Sequence, residues 1–220
     1  MSKQELFDKF VDLMGRFAEI KEVAALRDGF IFTTPFTIAG SLFLLLANLP
    51  IPGYTDVMTS ILGQGWAAPL NQVAGSTFDV LAIIVVLGMT YKYVDAEGCD
   101  AISAAVLSVS ALFIVMKSSV IGPSGEEVTG VIPKLWAGSN GVITAILVSI
   151  IVSRIFWYWE KNKITIKMPP QVPGGVQRAF AALIPAVIIF ATFAVIYTLC
   201  NLIANMTFPE IVFKILQTPL

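Results

Sequence analysis

Apolar residues run almost unbroken over Gly29–Leu49, Val73–Tyr91, Ala101–Met116, Gly141–Trp159 and Ala179–Ile203, with polar, glycine- and proline-containing segments between them. A helix needs about 20 mostly apolar residues to cross a bilayer, because each residue advances it by only ~1.5 Å. Ala101–Met116 falls short of that length and must borrow from its flanks. The pattern predicts an all-α membrane protein with five transmembrane helices.

Residues 3–26 follow another pattern. Leu6, Phe7, Phe10, Leu13, Met14, Phe17, Ile20 and Ala24 recur at helical spacing, with Lys9, Asp12, Arg16, Glu19 and Glu22 between them. This predicts an N-terminal amphipathic helix, lying in the membrane interface or against the ends of the bundle. Its acids and bases nearly balance, which separates it from polybasic lipid sensors. The chain therefore divides into an interfacial helix (1–27), a transmembrane part (28–204) and a C-terminal segment (205–220). Within that segment, Pro209–Gln217 predicts a short C-terminal amphipathic helix: Ile211, Val212, Ile215 and Leu216 share a face, with Lys214 opposite. Asp28 is placed to cap the first span, and Pro35 to bend it one turn later. Gly122-Pro123-Ser124-Gly125 is a turn, and Ile164-Thr165-Ile166-Lys167 alternates like a short strand.

Charge adds an orientation. With the N-terminus inside, eleven of the 14 Lys and Arg residues fall on the cytoplasmic side. The positive-inside bias predicts a cytoplasmic N-terminus and puts Leu220 on the outer side, with Pro50–Asn71 and Lys117–Asn140 as outer loops.

Composition narrows the chemistry. Charged residues make up 13% of the chain, about half the share of a soluble domain, and the net charge of −1 argues against a nucleic-acid partner. Histidine is absent, which removes the commonest general base and metal ligand from this chain. Cys99 and Cys200 have neither metal nor redox spacing and read as ordinary thiols. No catalytic residue, metal site or cofactor is expected.

Helices in lipid associate through close approach of small residues. Gly141, Ala145, Ser149 and Ser153 form such a ladder, predicted to pack within the bundle or across a dimer axis. Ala101, Ala104, Ala105, Ser108 and Ala111 form a second small face. Asp79 is the one acid inside a predicted span. It marks either a polar pathway or a position near enough to the helix end to reach water. Arg154 and Lys92 are expected to snorkel.

The run from Ile164 to Pro185, with Pro169, Pro170, Pro173, Gly174, Gly175 and Arg178, resembles a segment of the IIC permease components of the bacterial sugar phosphotransferase system, of the lactose/cellobiose/chitobiose type. Leu26-Arg27-Asp28-Gly29-Phe30 leading to Pro35 and Gly40-Ser41-Leu42-Phe43, and Gly138-Ser139-Asn140-Gly141, fit the same family. The resemblance implies a protein in two parts. The first is a scaffold through which the permease forms a homodimer. The second holds the sugar site, with its histidine and glutamate. The partner IIB protein, charged by IIA, phosphorylates the sugar on the cytoplasmic side. No residue here matches the sugar-binding positions, and Leu220 falls where the second part would begin. The expectation is therefore the scaffold half of a permease in the bacterial cytoplasmic membrane, taking up a β-linked disaccharide (cellobiose, chitobiose or lactose class) only together with the missing half. The alternative is a complete small membrane protein serving interaction or assembly, with no transport activity of its own.

Overall fold

The computed structural model describes residues 3–166, 168–169 and 171–217. In chain order the helices are α1 (Lys3–Ala18), α2 (Lys21–Ile31), α3 (Thr33–Ala47), α4 (Tyr54–Leu62), α5 (Ala68–Phe78), α6 (Leu81–Ala96) and α7 (Ala101–Ile114). A hairpin of β1 (Ser119–Ile121) and β2 (Glu127–Thr129) follows. Then come α8 (Lys134–Ala137), a single 3-10 turn (Ser139–Gly141), α9 (Val142–Lys161), α10 (Gly174–Ala181), α11 (Leu183–Ala204) and α12 (Phe208–Gln217).

Among the described residues, four helical stretches are long and apolar enough to cross a membrane: Lys21–Ala47, Ala68–Ala96, Ser139–Lys161 and Gly174–Ala204. Helix α7 has 14 residues. That is about 21 Å of helix against a hydrocarbon core of ~30 Å. The expected count of five therefore rests on this shorter element.

Three of the long stretches are interrupted, and proline explains two of the breaks. Pro35 has no N–H for the carbonyl of Ile31, and its ring crowds that oxygen. The helix breaks at Phe32, between α2 and α3. Pro185 stands in the same relation to Ala181, and the break falls at Ala182, between α10 and α11. The third break, at Asp79-Val80 between α5 and α6, has no proline. There the turn before α9 presses on the chain: a Cβ at Gly138 would lie 2.9 Å from the Phe78 carbonyl oxygen and 3.2 Å from Asp79 Cα.

Helix α6 is the hub of the bundle and packs on α2, α7 and α9, while α11 covers α7 and α9. Met89, Leu112, Phe156, Ile189 and Phe193 are fully buried among them. Glycine brings the first span onto the second at two crossings. A Cβ at Gly29 would lie 2.6 Å from Met89 Cα, and one at Gly40 would lie 2.0 Å from Thr77 Oγ1. These two positions belong to the glycine-bearing run noted above for its resemblance, and here they lie at the α2–α6 and α3–α5 contacts.

Several expectations need correction. The N-terminal amphipathic helix ends at Ala18 rather than near residue 27, and α2, starting at Lys21, already belongs to the first long stretch. Asp28 caps nothing. It lies inside α2 and accepts a hydrogen bond from Arg27 Nε at 2.8 Å, while the residue at the helix start is Ile20. Ile164–Ile166 forms no strand, and Lys167 lies outside the described residues. The Lys117–Asn140 loop contains a hairpin that the sequence pattern does not predict, with Val120 opposite Val128 and the expected turn closing it through Gly125 N–H to the Gly122 carbonyl. Helix α12 does form. Glu210 accepts from both the backbone N–H and the hydroxyl of Thr207, a capping box at the helix start.

Candidate functional site

The centre of the bundle is the seam between α6 and α9. The structure places Gly141, Ala145, Ser149 and Ser153 all in the interior, the last three with no exposed surface. At the α8 end of the seam, a Cβ on Gly141 would lie 1.8 Å from the Trp136 carbonyl oxygen and 3.3 Å from Ala82 Cβ. Two turns further along, Thr90 Oγ1 on α6 donates to Ser149 Oγ on α9 at 3.1 Å. The ladder is covered within one chain, so this face is not open to a second copy. The small face of α7 is buried too: Ala101, Ala104, Ala105, Ser108 and Ala111 all lie inside, and Ser108 Oγ donates to Val86 O across to α6 at 3.2 Å. Thr144 Oγ1 and Ser153 Oγ are buried with no protein partner among the described residues.

Charges sit at the two ends of the seam. At the α8 end, Lys134 Nζ lies 3.0 Å from Asp79 Oδ2. The Asp79 side chain is 40% exposed. Asp79 therefore stands at the break between α5 and α6, partly exposed in this chain and paired with Lys134.

At the opposite end, three contacts join elements far apart in sequence. Lys21 hydrogen-bonds Glu97. Glu22 Oε1 accepts from Arg154 at 2.5 and 3.1 Å. Glu160, at the end of α9, accepts the Asp100 backbone N–H at 3.0 and 3.1 Å, and so holds the start of α7. Arg154 thus pairs across the bundle rather than snorkelling. The Lys21 ammonium holds the Glu97 carboxyl below its ordinary pKa, because the hydrogen bond favours the charged form. Cys99 beside this cluster is a free, half-buried thiol, and loss of hydration pushes its pKa up. That is the opposite of an activated nucleophile. Cys200 is also free.

Sequence reasoning missed Lys21, Glu22, Glu97 and Glu160 as structural partners. Their one signal was position: each stands within a turn of a span's end, where an ion pair between helices can form without crossing hydrocarbon.

Apolar helices, small-residue seams and charges confined to the ends define a multi-pass integral membrane protein. The model of the phosphotransferase-system EIIC family matches residues 27–220, and the chain belongs to that family. It is 36% identical over 224 residues to the cellobiose-specific EIIC component of Geobacillus stearothermophilus, covering 98% of this chain and 49% of that protein. It is 34% identical over 228 residues to the lichenan permease IIC component of Bacillus subtilis (strain 168), covering 99% and 49%. Its structure superposes with a TM-score of 0.89, at 34% identity, on the crystal structure of the transporter ChbC, the IIC component from the N,N'-diacetylchitobiose-specific phosphotransferase system. That match covers 95% of this chain and 50% of the transporter. The chain thus spans about half the length of the relatives it matches.

Proposed function

We propose that this chain is the N-terminal scaffold part of an EIIC permease that takes up a β-linked disaccharide coupled to its phosphorylation. The observation that carries the reading is one of coverage. The match runs over 98% of this chain but 49% of the cellobiose-specific relative. Among the described residues the interior polar side chains are scattered hydroxyls bonded to a neighbouring helix or to a nearby backbone carbonyl, with Thr144 Oγ1, Ser153 Oγ and Trp157 Nε1 left single, rather than a set of converging donors and acceptors. A sugar site in a transporter is built where two parts meet at membrane depth.

In this reading α7, extended by its flanks, is a fifth span. The N-terminus is cytoplasmic, in accord with the eleven basic residues on that side. Helices α1 and α12 lie at the two interfaces. The permease works as a homodimer in the bacterial cytoplasmic membrane and receives phosphate through IIB and IIA. The seam of Gly141, Ala145, Ser149 and Ser153 keeps the scaffold rigid while the sugar-bearing part moves against it.

The test is reassembly. Residues 1–220 are co-expressed with the C-terminal part of the Geobacillus relative in a bacterium lacking its own β-disaccharide permeases. Labelled cellobiose is expected to enter, as its phosphate, only with both parts and IIB present. Uptake by this chain alone contradicts the reading. So does absence of uptake when both parts reach the membrane and copurify.

A further inference from the structure

The chain turns back as it leaves α9. It reverses at Lys163, whose backbone is left-handed (φ 56°), and Ile164 N–H donates to the Trp159 carbonyl at 3.1 Å. Thr165 then shares a hollow of about 50 Å³ with Phe156, Glu160 and Pro185. The returning segment therefore lies beside the last turns of α9 and the first turn of α11. Ile166 borders a shallow groove with Gln177 and Arg178 of α10. Segment and helix together make a ledge where two spanning stretches end, level with Tyr158 and Trp159. Residues of that type mark the boundary between hydrocarbon and water.

The ledge combines two properties. Ile164, Ile166, Val176, Phe180 and Leu183 are each between 37% and 47% exposed. Residues 161–209 also carry four cations (Lys161, Lys163, Lys167 and Arg178) and no acid. Glu160, just before them, is turned onto the Asp100 backbone N–H at 3.0 and 3.1 Å. Lys163 and Arg178 are exposed. Such a ledge fits a neighbour that is apolar below and anionic above. We propose that the stretch from Lys161 to Leu183 is a membrane-surface anchor selective for anionic phospholipid. Its apolar side chains lie among the upper acyl carbons, and Lys163 and Arg178 reach the phosphates. A zwitterionic surface would accept the apolar side chains but offer the cations no net charge. An acidic protein patch would also match the cations. Lipid is favoured because the ledge runs directly into the spanning helix α11 and so begins at lipid depth. The anchor depends on the spans alone and not on the transport reading.

The full 220-residue chain, with Cys99 and Cys200 replaced by alanine, carries a fluorophore at Val176→Cys. It is placed in nanodiscs of phosphatidylcholine and phosphatidylglycerol in equal amounts, whose two faces are both open to solution. The fluorophore is expected to be quenched by a nitroxide high on the acyl chain and spared by aqueous iodide. Labelled phosphatidylglycerol is expected to quench at least about fivefold more effectively than labelled phosphatidylcholine, the factor by which one cation favours an anionic surface. Lys163→Asn, which suits left-handed backbone, combined with Arg178→Gln is expected to abolish that difference. Screening by about 1 M salt is expected to do the same without either change. Quenching by iodide overturns the proposal, because it puts the ledge in water. Protection from iodide and nitroxide alike also overturns it, because it puts the ledge under protein, whether a second copy or another chain. Equal quenching by the two lipids overturns the anionic selectivity. So does a preference that survives the double variant, or that survives salt should the double variant fail to fold.

Discussion

The hydroxyl of Thr90 on α6 reaches Ser149 Oγ on α9 at 3.1 Å, and neither side chain has any exposed surface. This bond ties together α6 and α9, which share one of the two most extensive helix contacts of the bundle. An interhelical hydrogen bond in a membrane contributes about 0.6 kcal/mol on average, less than the close packing around it. Ser149→Ala is therefore expected to lower the thermal midpoint in detergent slightly. Ser149→Leu, which forces extra methylenes into a filled seam, is expected to cost about 1–3 kcal/mol or to unfold the bundle. Fluorescence-detected size exclusion after graded heating measures both. Equal midpoints for wild type and Ser149→Leu contradict the seam.

Glycine positions separate by what a Cβ would meet. At Gly141 it meets the Trp136 carbonyl oxygen at 1.8 Å, and at Gly29 the Met89 backbone at 2.6 Å. Backbone cannot swing away as a side chain can, so Gly141→Ala and Gly29→Ala are expected to be strongly destabilising. At Gly15 in α1 nothing lies within 4 Å. Gly15→Ala is expected to leave the bundle unharmed and to favour its own helix by about 1 kcal/mol. Thermal midpoints of the three variants make the comparison.

Both glycine effects were only half legible in the chain. A glycine inside an apolar helix signals close approach, but not the partner. Gly29 meets Met89 and Gly40 meets Thr77, neither near it in sequence. The breaks at Phe32 and Ala182 follow from Pro35 and Pro185, local causes that sequence carries openly. The break at Asp79-Val80 has no such local cause. Gly138, from the turn before α9, lies against it, and the pairing of Asp79 with Lys134 joins residues 55 positions apart, so neither was legible locally. The capping box of Thr207 and Glu210 was readable from its spacing, whereas the pairing of Glu22 with Arg154 was not, since it joins residues 132 positions apart.

Glu97 makes stability depend on acid. Its folded pKa lies below the unfolded value because the Lys21 ammonium hydrogen-bonds the carboxylate. Its contribution is then fully present above the unfolded carboxylate pKa and is lost as pH falls through the folded one. Thermal midpoints measured from pH 7 down to pH 3 are expected to fall less steeply in Glu97→Gln than in wild type (the pH range spans the ordinary value of about 4.3). Parallel curves contradict the assignment.

Orientation has its own measurement. With Cys99 and Cys200 replaced by alanine, a single cysteine at Thr55 lies in the loop proposed to face outward. An impermeant maleimide is expected to label Thr55→Cys in intact cells. Labelling only after the membrane is opened contradicts the N-inside arrangement.

Titration calorimetry tests the scaffold reading most directly. The purified chain, monodisperse and with a cooperative melt, is titrated with cellobiose, chitobiose and lactose. No saturable heat is expected from any of them, because the proposed function puts the groups that grip sugar hydroxyls in the part of the relatives that this chain does not span. Saturable binding of one disaccharide, abolished by Asp79→Asn, would place a sugar site in this half and contradict the account.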